Sequence, residues 1–159
     1  MKSLCMALCL LFISSCASKS IHKDVDQYKE VAERLIMNND KGAEPMVLKQ
    51  DAVELINLAK PILKKYTAKN PQCNELLSHI IAKSTFMQNL TLSEIEDKFH
   101  DGNGLPKADE TCYEPKELIV HPSTVVILSK SKLTTEGREQ IKDEIEEVLG
   151  HLDILKESL

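Results

Sequence analysis

The amino-acid sequence predicts an all-α fold, a four-helix-bundle-like domain with a kinked second helix and a long crossover loop before the last helix. Four long segments repeat their apolar residues every three or four positions, which is the period of an amphipathic helix. Only one segment has the β-branched composition of a strand, and a lone strand would have no partner. Each apolar stripe must be buried against another, and four stripes cover one another in a bundle.

The first predicted helix covers residues 20–39. Its apolar residues lie alternately four and three positions apart, so that they form one stripe: Ile21, Val25, Tyr28, Ala32 and Leu35. Charged residues occupy the opposite face. Gly42 is expected to end the helix, because glycine accepts a positive φ beyond the last turn.

The second predicted helix covers residues 46–68. Its stripe consists of Ala52, Leu55, Ile56, Ala59, Ile62, Leu63 and Tyr66. Pro61 lies inside this stripe, where it removes one backbone hydrogen bond and crowds the preceding turn. We therefore expect a kink at Pro61.

The third predicted helix begins at Asn70-Pro71, an N-cap residue followed by a proline suited to the first helical position. Its apolar residues are Cys73, Leu76, Leu77, Ile80, Ile81 and Met87. Thr91 and Glu94 then have the spacing of a capping box, which predicts a break and a short further helix up to Phe99.

The crossover between the third and the last helix has two parts. Residues 100–116 are rich in glycine, proline and acidic residues, which is typical of a loop. Residues 117–128 are almost continuously apolar and β-branched, a pattern that fits both a buried strand and a buried helix. Because Pro122 argues against a central strand, we expect an extended segment with a short helix after Ser123.

The last predicted helix covers residues 135–158. Its stripe consists of Ile141, Ile145, Val148, Leu149, Leu152 and Leu155. Thr134 or Thr135 is placed to cap its amino terminus. The acidic pairs Asp143-Glu144 and Glu146-Glu147 are interpreted as its solvated face, because the apolar stripe passes between them.

The first sixteen residues have the pattern of a secretory signal. Lys2 gives a positive start, and an apolar run follows over residues 4–13. The run is too short to span a bilayer, which takes roughly 20 residues. It ends with a branched apolar residue, two serines and Cys16. This ending resembles the lipobox of bacterial lipoproteins; an ordinary cleaved signal is the alternative.

The resemblance implies how the chain is processed and where it resides. Residues 1–15 would be removed, and Cys16 would carry diacylglycerol and an acyl chain such as palmitate. Residues 16–19 would then be a short tether ahead of a single helical domain, 20–159. Ala17 follows the cysteine where the sorting pattern of Gram-negative lipoproteins has Asp for the inner membrane, so the resemblance implies the periplasmic face of the outer membrane.

Charge limits the partners that the mature chain is expected to bind. Removing Lys2 leaves 19 basic and 25 acidic residues, and 19 minus 25 gives a net charge of −6. No basic stripe stands out, so nucleic acid is not an expected partner. The expected partners are the membrane, through the acyl chains, and an envelope protein.

The five cysteines have different expected fates. Cys5 and Cys9 leave with the signal, and Cys16 is lipidated. Cys73 and Cys112 remain as an even pair in an oxidising compartment, where disulfides persist. We expect them to form a disulfide; two buried thiols, or Cys112 as a metal ligand, are the alternatives.

No motif for catalysis, covalent haem or phosphate binding occurs in the chain. The sequence therefore favours a non-catalytic binding or structural module, with no cofactor beyond the lipid on Cys16. A hydrolase is a further alternative, which would need a base beside Ser123 or Asp109.

A metal- or haem-binding bundle is the main alternative function. The crossover holds several side chains that bind transition metals: His100, Asp101, Asp109, Glu110, Cys112 and His121. His121 lies within an apolar run and is interpreted first as a buried histidine with one backbone hydrogen bond. His79 and His151 lie close to helical stripes, where a bundle can bring two histidines to one haem iron.

Overall fold

The structure is a computed structural model that describes the backbone of residues 13–157 and the side chains of residues 21–156. The predicted all-α class is confirmed, since the described residues form helices and no strand. Most of the predicted signal, residues 1–12, lies outside the described residues, and so does the side chain of Cys16. Within the described part of the chain, every helix is too short or too polar to cross a membrane.

The helices follow one another along nearly the whole described chain. In order they are α1 (Ile13–Asp40), α2 (Pro45–Lys69), a 3₁₀ turn (Pro71–Cys73), α3 (Asn74–Met87), α4 (Leu92–Ile95), a π-helical turn (Glu96–His100), a second 3₁₀ turn (Glu110–Cys112), α5 (Tyr113–Leu128) and α6 (Thr135–Glu157). Of the predicted loop, residues 100–116, only residues 101–109 lie outside the helices; residues 110–116 belong to the second 3₁₀ turn and to α5.

Four of these helices form the bundle. α1 packs against α2, α2 against α5, α5 against α6, and α6 against α1, so the four surround a common core. The third predicted helix forms as α3, but it begins at Asn74 after the 3₁₀ turn, and the Asn70 side chain does not cap it. It lies outside this ring, against α2 and α5. α5, which includes the apolar part of the predicted crossover, is the fourth helix of the bundle in place of α3.

α5 corrects the prediction for residues 117–128, which are helical and not extended. Every residue from Pro115 to Val126 is buried. A helix enclosed on all sides has no polar face, so the helical period that identifies an amphipathic helix is missing from its sequence. The ring of Pro122 removes the backbone donor that would otherwise bond the carbonyl of Leu118. That carbonyl accepts a hydrogen bond from the Tyr28 hydroxyl at 2.9 Å instead, so the helix tolerates the proline.

Two local predictions at helix ends are confirmed. Gly42 ends the first helix with a φ of 73°. Thr91 and Glu94 form both hydrogen bonds of a capping box at the start of α4. α2 continues through Pro61 to Lys69, and the kink expected there stays a prediction.

Cys73 and Cys112 are joined as a disulfide whose Cα atoms lie 5.2 Å apart. Both residues are completely buried. The bond connects the turn before α3 to the turn before α5. It thereby closes a loop that contains α3, α4, the π-helical turn and residues 101–109, and it fixes this loop against the bundle.

Candidate functional site

Three histidines meet where the π-helical turn, α5 and α6 come together. The ring of His121, from α5, lies between His100 of the π-helical turn and His151 of α6. Its centroid is 5.3 Å from each of the other two rings, edge to face with His100 and stacked on His151. We call these three residues the histidine cluster.

The π-helical turn positions the first member of the cluster. Its backbone is closed by a hydrogen bond from the amide of Asp101 to the carbonyl of Glu96, at 2.8 Å. Phe99 is buried in the core, whereas His100 reaches α5 with 37% of its side chain exposed. Single π-helical turns of this kind occur frequently at functional sites.

His121 is the most deeply buried member, with 1% exposure. Its Nδ1 lies 2.8 Å from Oε2 of Glu144 on α6 and donates to that carboxylate. This bond leaves Nε2 as the ring nitrogen with a lone pair. Nε2 has no hydrogen-bond partner, and it lies 3.8 Å from Oε2 of both Glu117 and Glu147.

Glu117 lies one helical turn before His121 on α5, and its side chain is 8% exposed. Oε1 pairs with the ammonium of Lys116, which is also buried. Lys116 donates a second hydrogen bond, at 2.9 Å, to the backbone carbonyl of His100. Oε2 of Glu117 has no hydrogen-bond partner. The buried lysine therefore holds one carboxylate oxygen and leaves the other directed at His121.

The electrostatic surroundings of His121 favour positive charge. Burial by itself would lower the pKa of its imidazole, because it disfavours the charged form. The hydrogen bond to Glu144 and the charges of Glu117, Glu144 and Glu147 outweigh burial and raise the pKa. The neighbouring carboxylates therefore favour a positive charge on the His121 imidazole.

The outer histidines connect the buried centre to the surface. His151 is 24% exposed, and its Nδ1 lies 2.6 Å from Oε2 of Glu114 at the start of α5. The Nδ1 of His100 lies 3.3 Å from Oε1 of Glu96 in the same turn. Each histidine of the cluster thus has its own carboxylate neighbour, and the side that carries His100 and Glu147 is open to solvent.

Only part of the predicted metal-ligating set comes together. His100 and His121 are adjacent, and both belong to one group with Glu117 whose ligand atoms lie within 4.8 Å of one another. Asp101 joins His100 and Glu96 in a second, more exposed group. Asp109 caps the second 3₁₀ turn through Thr111, and Cys112 is in the disulfide.

Other predicted site residues serve the fold. The Ser123 hydroxyl is completely buried and donates to the carbonyl of Ile119 at 2.7 Å, which corrects its reading as a possible nucleophile. His79 lies on α3, which packs against α2 and α5. His151, on α6, is stacked on His121. The pairing of His79 with His151 around a haem stays a prediction.

Sequence reasoning missed Lys116, Glu117 and Glu144. The signal for Glu117 is its four-residue spacing from His121, which places both on one helix face, but only if α5 is a helix. Glu144 was assigned to a solvated face, and that assignment is wrong: its side chain is 16% exposed and bonded to His121. Its neighbour Glu147 is 61% exposed and fits the prediction.

Comparisons with known proteins give no family for this chain. No protein-family model matches it, and the searches of curated proteins and of solved structures found no match. Its fold and site define an all-α bundle with a buried histidine–glutamate cluster. Because helical bundles support many activities, only the chemistry of its own residues bears on its function.

Proposed function

We propose that this chain is a lipid-anchored, non-catalytic helical module of the bacterial envelope. It binds an envelope component at the periplasmic face of the outer membrane. The observation that carries the proposal is the lipobox-like ending of the apolar run at Cys16. The buried cysteine pair supports it, because disulfides persist in the oxidising compartment outside the inner membrane.

The position of Cys16 implies that the bundle lies against the membrane. Among the side chains that the structure describes, Ile21 is the first buried one, and it follows Cys16 by five positions (21 minus 16). The backbone between them belongs to α1, and five helical residues rise only about 8 Å. Acyl chains on Cys16 would therefore hold the amino-terminal end of α1 at the bilayer surface.

The opposite end of the bundle would point away from the membrane. Lys65 and Lys156 form ion pairs near the start of α1, with Asp24 and Asp26. The start of α6 instead packs at the far end of α1. A cleft of about 420 Å³ opens there, lined by polar residues of α1, α6 and the connection before α6: Asn39, Asp40, Thr134, Thr135, Arg138, Glu139 and Lys142. This end is the surface that an envelope partner would meet.

The anchor is tested by metabolic labelling of bacteria that express the full chain. We expect wild type to incorporate radioactive palmitate and to fractionate with membranes. Cys16→Ser is expected to lose both properties, because the serine hydroxyl does not form the thioether to diacylglycerol. Cys9→Ser is the matched control and should label like wild type. Equal labelling of Cys16→Ser, or no label on the wild-type chain, would contradict the proposal.

A further inference from the structure

Two buried polar atoms face each other in the histidine cluster without hydrogen-bond partners. They are Oε2 of Glu117 and Nε2 of His121, 3.8 Å apart. Among the described side chains, only the Ser129 hydroxyl shares this condition. A buried polar atom left unpaired costs about 1–3 kcal/mol. Two of them aimed at one point therefore indicate a positively charged group between them.

The 3.8 Å between Nε2 of His121 and Oε2 of Glu117 decides between the two candidate cations, a proton and a metal ion. A proton on Nε2 would not form a hydrogen bond to Glu117, because 3.8 Å exceeds the usual limit of about 3.2 Å for N–H···O. A tetrahedral metal ion bound at about 2.1 Å from each atom holds two ligand atoms about 3.4 Å apart. The observed 3.8 Å is close to this separation, so a small shift of either side chain lets both atoms bind one ion.

The third ligand comes from the π-helical turn. A ring nitrogen of His100 lies within 4.8 Å of the ligand atoms of Glu117 and His121. Two imidazoles and one carboxylate form a set that suits Zn²⁺ and its neighbours among the divalent transition metals. Glu147, which reaches Nε2 of His121 from the solvent side, or a water molecule can fill a fourth position.

We propose that His100, Glu117 and His121 bind one divalent transition-metal ion, and that Zn²⁺ fits this ligand set best. The site goes beyond the lipid anchor and does not depend on it. The second group around His100, with Glu96 and Asp101, is largely exposed, and none of its atoms is buried without a partner; it carries no proposal.

The neighbours of the ligands are arranged as a metal site requires. Metal-binding histidines usually donate their other ring N–H to a carboxylate, which fixes the tautomer and orients the ring. Glu144 accepts this bond from Nδ1 of His121. Lys116 fixes the other oxygen of Glu117 and, through the carbonyl of His100, the backbone of the third ligand.

The charges around the proposed ligands are mostly negative. Three carboxylates lie near the His121 ring: Glu117 and Glu147 lie 3.8 Å from Nε2, and Glu144 lies 2.8 Å from Nδ1 on the other side. The ammonium of Lys116 neutralises one of them. The carboxylates of Glu144 and Glu147 remain, together with Glu96 beside His100, and this excess of negative charge attracts a cation.

The experiment is a titration of the full chain, purified in detergent and stripped of metal with a chelator. Zn²⁺ is added in competition with a chromophoric chelator, and Co²⁺ is added separately to follow its visible d–d absorption. We expect one ion per chain and an increase in the unfolding temperature with Zn²⁺, because an ion that binds only the folded state stabilises it. A folded wild-type chain that binds neither ion would overturn the proposal.

Variants assign the ion to the site. Glu117→Gln keeps the side-chain shape and is expected to weaken Zn²⁺ binding by more than about 100-fold, the upper end of the loss from an outer-shell partner. Glu144→Gln should weaken it by about 10- to 100-fold. Glu75→Gln and His79→Gln, both on α3, are the matched controls and should bind Zn²⁺ like wild type.

A surface variant keeps the test decisive if the buried substitutions prevent folding. His100→Gln changes a partly exposed side chain and should leave the helical circular dichroism spectrum intact. It should alter the Co²⁺ absorption and weaken Zn²⁺ binding by about 10-fold or more, the lower end of the loss expected from an outer-shell partner. Unchanged spectra and affinity in His100→Gln would exclude this ligand set. Loss of binding in His79→Gln would place the ion elsewhere.

Discussion

At the scale of single residues, the hydroxyl of Tyr28 donates a hydrogen bond to a backbone carbonyl of α5 that lies 90 positions further along the chain. Pro122 leaves the carbonyl of Leu118 without its backbone donor, and Tyr28 donates to that carbonyl at 2.9 Å. Burial raises the pKa of Tyr28 well above its usual value, so the phenol stays a neutral donor at ordinary pH. One side chain from α1 thus allows a proline inside a bundle helix.

Tyr28→Phe should lower the free energy of unfolding by about 1–3 kcal/mol, because it leaves the buried carbonyl of Leu118 unpaired. Urea denaturation followed by circular dichroism measures the change. Tyr113→Phe, on a partly buried ring, is the control and should change the free energy by less than about 0.5 kcal/mol.

Pro122→Ala supplies a backbone donor to the same carbonyl, so it should make Tyr28 less important. In the Pro122→Ala chain, we expect Tyr28→Phe to cost clearly less than it does in wild type. Equal costs in the two backgrounds would show that the hydroxyl does not compensate for Pro122.

At the scale of elements, the capping box at Thr91 sets the start of α4, which leads directly into the π-helical turn that carries His100. Hydrogen bonds from the backbone amide and hydroxyl of Thr91, followed by the ion pair with Lys98, lower the pKa of Glu94. The ionised form of Glu94 therefore stabilises the folded chain.

The stabilisation from Glu94 should depend on pH with a defined sign. A carboxyl group whose folded pKa is lowered stabilises the fold above its unfolded pKa, near 4.3, and loses this effect as pH falls through the folded value. Wild type should therefore be more stable than Glu94→Gln at pH 7, and the difference should shrink below about pH 4. Urea denaturation across this pH range measures it, with Glu75→Gln as the control. A difference that is constant with pH would contradict the role of the charge.

At the scale of the whole molecule, the disulfide holds the outer layer on the bundle. The loop between Cys73 and Cys112 contains α3, α4 and the π-helical turn, whereas the four bundle helices provide the surface against which they pack. Without the bond, this layer would depend on its contacts with α2 and α5 alone. His100, a proposed metal ligand, lies within the closed loop, whereas Glu117 and His121 lie outside it on α5.

Cys73→Ser with Cys112→Ser should lower the free energy of unfolding by about 4 kcal/mol, the loop-closure entropy expected for a cross-link across 39 positions. The double variant avoids an unpaired thiol. Urea denaturation measures the loss, and wild type with a reducing agent should behave like the double variant. An unchanged denaturation midpoint in both would contradict a stabilising disulfide.

The helices α1, α2, α3 and α6 were predictable from the sequence because each has a polar face. An amphipathic stripe is a local pattern that a helix displays whatever its neighbours are. The capping box of α4 is local for the same reason, since its two residues are three positions apart. The sequence by itself therefore determined the all-α class, most helix positions and the residues of the apolar stripes.

Only the tertiary structure decided the role of α5 and the composition of the site. α5 is enclosed on all sides, so its sequence has no period, and its proline is compensated by a residue of α1. The site joins His121 to His100, Glu144 and His151, which come from other elements at distant positions. Such contacts arise from the packing of helices against one another, and no pattern within a single helix encodes them.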